Sequence, residues 1–136
     1  MSHPARFDPD DPLLARLRAV CLRFPGAGEK ISHGRPNFFT RKIFAGYGAV
    51  EKGAHSSDRW ARSVVILPDS AEREALLADP RFFRPGYLGA YGWIGLDLQS
   101  AEPDWDEITE LVDASYRNTA SRTLIAELDR SSSPQI

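Results

Sequence analysis

Residues 29–48 read EKISHGRPNFFTRKIFAGYG, and in them short β-prone pieces alternate with turn residues. Gly34-Arg35-Pro36 is the clearest break, so the stretch predicts strands near 29–33, 37–41 and 43–47, a small antiparallel meander. On its N-terminal side, DPDDPLLARLRAVCLRFPG places Leu13, Leu14, Leu17, Val20, Cys21 and Phe24 at helical spacing. Asp11 suits the N-cap of that helix, Pro12 suits its first position, and Pro25-Gly26 ends it. On the C-terminal side, residues 49–61 are polar and read as an exposed connection, and RSVVILP reads as a buried strand closed by Pro68. DSAEREALLADP follows as a short helix, with Asp69 and Glu72 at capping-box spacing. RFFRPGYLGAYG reads as irregular and WIGLDLQ as the last strand. PDWDEITELVDASYRNTASRTLIAELD begins a long helix that repeats the capping signal at Asp104 and Glu107 and turns Trp105, Ile108, Leu111, Val112 and Tyr116 inward. Asn118 is expected to interrupt it before a short terminal helix around Leu124–Leu128. Clustered strands between helices give an α+β class, with an antiparallel sheet of about five strands flanked by N-terminal, middle and C-terminal helices.

The chain has 136 residues, 42% of them hydrophobic and 26% charged, which fits one soluble globular domain. That domain is expected over residues 11–129, with disordered ends at 1–10 and 130–136. Cys21 is the sole cysteine, so an internal disulfide and a cysteine-rich zinc cluster are excluded. It lies on the apolar stripe of the first helix, where a small core residue is expected. No apolar run is long enough to span a membrane, and MSHPARFDPDDP lacks the pattern of a secretory signal. The expected location is the cytoplasm.

The net charge of −2 hides a division. Residues 1–68 carry 11 Lys and Arg against 6 Asp and Glu, a net of +5, whereas residues 69–136 carry 6 against 13, a net of −7. Between Arg23 and Arg62 the cations Lys30, Arg35, Arg41, Lys42, Lys52 and Arg59 are interleaved with Phe38, Phe39, Phe44, Tyr47 and Trp60. Nucleic-acid readers use that mixture, cations for phosphate and rings for bases. Strand alternation sends Phe38 and Phe39 to opposite faces, so at most one of them sits beside the cations.

Glycines at 86, 89, 92 and 95 recur every third residue. The spacing is not that of a dinucleotide fingerprint, and the run leads from a loop into a strand rather than from a strand into a helix. Gly86, Gly89 and Gly92 are expected to supply positive φ angles in a winding loop, and Gly95 a close approach within the strand. His33, read as lying on a strand, and His55, in a loop, do not supply the ligand spacing of a zinc site. No nucleophile elbow pairs a serine with a base, so no enzyme, metal or cofactor is expected.

Three pieces carry a family resemblance: EKISHGRPNFFTRKIFA, RFFRPGYLGAYGWIGLDL and DWDEITELVDASYRNTA. Their strongest residues are Gly34, Pro36, Phe38, Lys42, Phe44 and Ala45, then Gly92 and Trp93, then Asp104, Trp105, Ser115 and Tyr116. In this order and spacing the chain resembles the MmcQ/YjbR-like family over about residues 13–128. The resemblance implies a CyaY-like, or double-wing, α+β domain and a DNA-binding role, with no family-wide catalytic residues. Relatives often carry a histidine and a basic residue where this chain has Ala90-Tyr91, and Pro-Lys where it has Ser121-Arg122.

The leading expectation is a binding domain that engages DNA through Lys30, Arg35, Arg41, Lys42, Arg59 and Arg62. The alternative is a protein-interaction or small-ligand domain using the ring-rich loop 82–93, with Tyr87, Tyr91 and Trp93 as contact residues beside Phe82 and Phe83.

Overall fold

The Asp11 carboxylate accepts from the Leu13 amide and Pro12 takes the first helical position, which starts helix α1, Pro12–Cys21. The computed structural model describes residues 6–53 and 57–132, so His3, His55 and the outermost parts of both expected disordered ends lie outside the described residues. After α1 come strands β1, Gly28–Ser32, β2, Arg35–Phe39, β3, Ile43–Tyr47, and β4, Ser63–Ile66. Helix α2, Ser70–Leu77, leads to β5, Phe82–Phe83, a single 3-10 turn at Leu88–Tyr91, and β6, Ile94–Asp97. Helices α3, Trp105–Thr119, and α4, Arg122–Ser132, complete the described chain. Among the described residues no helix is long and apolar enough to cross a membrane.

The strands form one six-stranded sheet in the order β1-β2-β3-β4-β6-β5, every neighbouring pair antiparallel. The expected α+β class holds, with one strand more than expected. The addition is β5, where Phe82 pairs with Leu96 and Phe83 with Gly95. A two-residue strand is too short to show an alternating pattern in sequence, and it forms because Gly95 leaves room for the ring of Phe83.

The meander differs from expectation in register. Ser32 pairs with Arg35 across the two-residue turn His33-Gly34, where φ is 53° and 79°. Both central residues sit in the left-handed region, as a type I′ hairpin turn requires. His33 is therefore a turn residue rather than a strand residue, and β2 begins two positions earlier than the Gly34-Arg35-Pro36 break suggests. Pairing with β3 starts at Asn37, so the missing N–H of Pro36 costs no ladder bond there. A β-bulge then sets Phe38 opposite Ala45 and Phe39 opposite Ile43, leaving Phe44 as the extra residue. The bulge lets Phe44 and Ala45 both enter the core.

One face of the sheet carries Phe38, Phe44, Ala45, Val64, Ile66, Ile94 and Leu96, all buried against Leu14, Leu17 and Cys21 of α1 and Ile108, Val112 and Tyr116 of α3. Cys21 is buried as expected, and burial pushes its thiol well above the ordinary range. The Ser115 hydroxyl donates to the Phe44 carbonyl and accepts from the Leu67 amide, tying α3 to β3 and to the end of β4. The Tyr116 hydroxyl donates to the Pro25 carbonyl at 2.8 Å. These are the Ser-Tyr residues of the third family motif, and they act as ties between helix and sheet.

The two capping signals fare differently. Asp104 accepts from the amides of Asp106 and Glu107 and caps α3. Asp69 makes no side-chain cap to α2, so the expected capping box is absent there. Glu107 does not reach back to its own cap, because Arg81 holds it in an ion pair at 2.9 Å.

Candidate functional site

The face of the sheet opposite α1 and α3 has a floor with little side chain. Register places Lys30, Asn37, Gly46, Val65, Gly95 and Phe83 in one row across all six strands. The two glycines flank Val65. Over Gly95 lies the Phe83 ring, 2.3 Å from where a β-carbon would stand, and the ring stacks on Trp60 with centroids 4.2 Å apart. The Trp60 indole N–H donates to Glu51, which anchors the indole at its edge.

Over Gly46 and Val65 the floor instead bounds a groove of about 620 Å³. Its walls come from distant parts of the chain: Ile43 of β3, Pro85, Tyr87 and Leu88 of the glycine loop, and Trp93 at the start of β6. Arg6, Ser32, His33 and Arg35 form its polar end. The Asn37 carboxamide lies across Gly46 and donates to the Arg35 carbonyl at 3.0 Å, so the turn and the floor are tied together.

The glycine loop serves as the groove's rim. Of Gly86, Gly89 and Gly92, Gly92 alone has a positive φ, 94°. At Gly86 the requirement is close approach: its amide donates to the Val50 carbonyl at 2.7 Å, and a β-carbon would stand 3.1 Å from the Lys52 amide nitrogen. The strained position is Tyr87, at φ 64° and 78% exposed. With ψ at −63° it is the centre of a γ-turn closed by the Leu88 amide on the Gly86 carbonyl at 2.7 Å, a strained conformation of the kind that concentrates at ligand clamps.

Of the expected ligand residues, Tyr87 and Trp93 line the groove. Tyr91 does not; it leans on Tyr87 from outside, with ring centroids 5.5 Å apart. Phe82 faces the core and Phe83 fills the Gly95 end of the row.

The six expected phosphate-binding cations do not share one surface. Lys30 is exposed on the open face, with its ammonium 4.8 Å from the centre of the Phe39 ring. Phe38 meanwhile is buried in the core, so the two adjacent rings do divide between the faces. Arg41 and Lys42 are exposed in the β2–β3 turn. Arg59 is exposed with its guanidinium over the Trp60 ring, 4.5 Å away. Arg62 points to the helix side, where it donates to both carboxylate oxygens of Asp11. That bond holds the Asp11 carboxyl near 2 against the opposing effect of burial, and the Tyr47 hydroxyl donates to the same carboxylate. Arg35 is buried, 8% exposed, with its Nη1 lying over Gly48.

Among the described residues no group of three or more His, Cys, Asp or Glu could hold a metal ion. The groove brings together cations, hydroxyl and amide groups and apolar walls.

A family model described as YjbR matches residues 22–118. Among solved structures, the crystal structure of a Deinococcus radiodurans protein with a DUF419 domain is similar, with a TM-score of 0.61 and 19% identity over 85% of this chain and 87% of that one. At that identity the likeness speaks for the fold alone. A search of the curated proteins finds no match to the chain.

Proposed function

The chain belongs to the YjbR family, and from that premise we propose that it is a binding domain holding a small ligand in the groove on its open sheet face. The observation that carries this reading is the groove itself, about 620 Å³ above a floor of Gly46 and Val65 and beneath a rim of Tyr87 and Trp93. Ligand sites run from roughly 300 to 1,000 Å³ and pair apolar walls with a few convergent polar groups. The strained Tyr87 and its exposure add to it.

The uncharged dye N-phenyl-1-naphthylamine tests the reading, because its emission reports transfer into an apolar site. Saturable binding to the native chain is expected. Val65→Phe raises the floor and should abolish binding, while Tyr87→Ala should weaken it with an unchanged melting temperature. Tyr91→Ala, outside the wall, should bind as the native chain does. Undiminished binding by both Val65→Phe and Tyr87→Ala would overturn the groove reading.

A second reading, duplex DNA, is favoured by Arg41 and Lys42, which stand exposed in the β2–β3 turn without an ion-pair partner among the described residues. Lys30 and Arg59 are the further exposed cations of the expected set.

A further inference from the structure

Arg35 is buried without an ion-pair partner among the described residues. Its Nη1 is shielded from solvent and has no hydrogen-bond partner among the described residues. Burial and the neighbouring Arg6 both lower the affinity of its guanidinium for the proton, and the exposed Asp58 opposes them only through space. A cation taken out of water normally gains a carboxylate and several hydrogen bonds in return, and an uncompensated one is costly.

The fold nevertheless builds a seat for it. At Gly48, φ is +84° and a β-carbon would stand 2.2 Å from Arg35 Nη1 and 2.7 Å from the Ala61 carbonyl oxygen. The Arg6 amide donates to the Gly34 carbonyl at 2.8 Å, which brings a second arginine to the same hairpin turn. Ser32 and His33 of that turn line the same end of the groove.

Resting on the groove reading above, we propose that this end is an oxyanion subsite. The ligand is then a small molecule with a carboxylate or phosphate head facing Arg35 and Arg6 and a flat apolar body lying over Val65, beside the Asn37 carboxamide that covers Gly46, against Trp93. Nη1 itself stays covered over Gly48, so the head's negative charge acts on the guanidinium as a whole from the groove side. Guanidinium groups suit it because their forked donors match the oxygens of both head groups.

Two dyes that share one ring system and differ in charge provide the test. 1-Anilinonaphthalene-8-sulfonate carries an anion that N-phenyl-1-naphthylamine lacks. The native chain should bind the anionic dye at least about tenfold more tightly, the scale of a charge-assisted contact. Arg35→Gln should remove that preference, the anionic dye losing at least about tenfold more affinity than the neutral one. Should Arg35→Gln fail to fold, Arg6→Gln at the same end carries the same contrast, a selective loss for the anionic dye. Displacement of the anionic dye by 1-naphthoate and by 1-naphthyl phosphate then assigns the head group to whichever competes at lower concentration. Equal affinity of the native chain for the two dyes would overturn the subsite and leave the groove standing. Failure of both dyes to bind would overturn both, and binding of the neutral dye alone would overturn the subsite only.

Discussion

Single residues decide how this sheet closes, and two glycines show it most directly. At Gly95 a methyl group would meet the Phe83 ring at 2.3 Å, and that ring is held from behind by Trp60. Gly95→Ala should therefore destabilise the domain by about 2 kcal/mol in urea titrations and alter the tryptophan emission, since the stack must part. The close approach at Gly95 was legible in the sequence, because a glycine inside a strand needs such a reason. The role of Gly48 was not, because it depends on an arginine 13 positions earlier arriving at the same point. Asp11 carries a pH signature. Its carboxyl lies near 2 in the folded chain against an ordinary 3.8, chiefly through its bond to Arg62. A depressed carboxyl contributes stability above its unfolded pKa and loses it as pH falls through the folded one. Asp11→Asn should cost about 2 kcal/mol near neutrality, and the difference from the native chain should shrink as pH drops from about 4 toward 2. Denaturant titrations at several pH values read it, and a difference that stays constant with pH would contradict the ion-pair account.

Elements followed the sequence wherever a long apolar period announced them. Helices α1 and α3 carry their expected stripes inward, with Asp11 and Asp104 as working caps. The departures lie where chemistry is local and short. A His-Gly turn moved the start of β2, and a bulge at Phe44 bent β3 so that neighbouring residues share the core. Period alone shows neither, because both break the alternation that a strand would otherwise display. The join between α3 and the sheet was likewise invisible, since Ser115 reads as an ordinary helical serine. Its hydroxyl satisfies the Phe44 carbonyl and the Leu67 amide at once in a fully buried position. Ser115→Ala strands both partners and should cost about 1–3 kcal/mol, seen as a lower denaturation midpoint with an unchanged slope. Ser115→Thr keeps the hydroxyl and should recover part of that loss unless its extra methyl overpacks the site.

At the scale of the molecule, the ion pairs seen among the described residues keep to the charge division of the sequence. The ion pairs of Arg18, Arg62, Arg81, Arg84 and Arg117 each join partners from the same half of the chain. The basic half still fails to present its expected cations on one face, because Arg35 is buried and Arg62 is committed to Asp11 on the helix side. If duplex DNA is a partner, the exposed cations left to contact it are Arg41 and Lys42 at the β2–β3 turn together with Lys30 and Arg59. Replacing both Arg41 and Lys42 by glutamine should then lower the slope of log affinity against log salt by about 2, and an unchanged slope would remove the turn from any such interface. The groove's rim at Tyr87 and Trp93 was legible in the ring-rich loop, but its floor and polar end were not, since Arg6, Arg35 and Val65 are far apart in sequence and meet only in the folded chain. Strand register also gives the molecule a built-in gauge. In one row, Gly95 is already roofed by a ring from its own chain, while Gly46, on the other side of Val65, opens on the groove beside the Asn37 carboxamide that lies across it. The first slot is a worked specimen of what a glycine in this sheet admits, a flat ring lying against bare backbone. A chemist choosing compounds for the second slot can begin from the thickness of Phe83 and search outward from there.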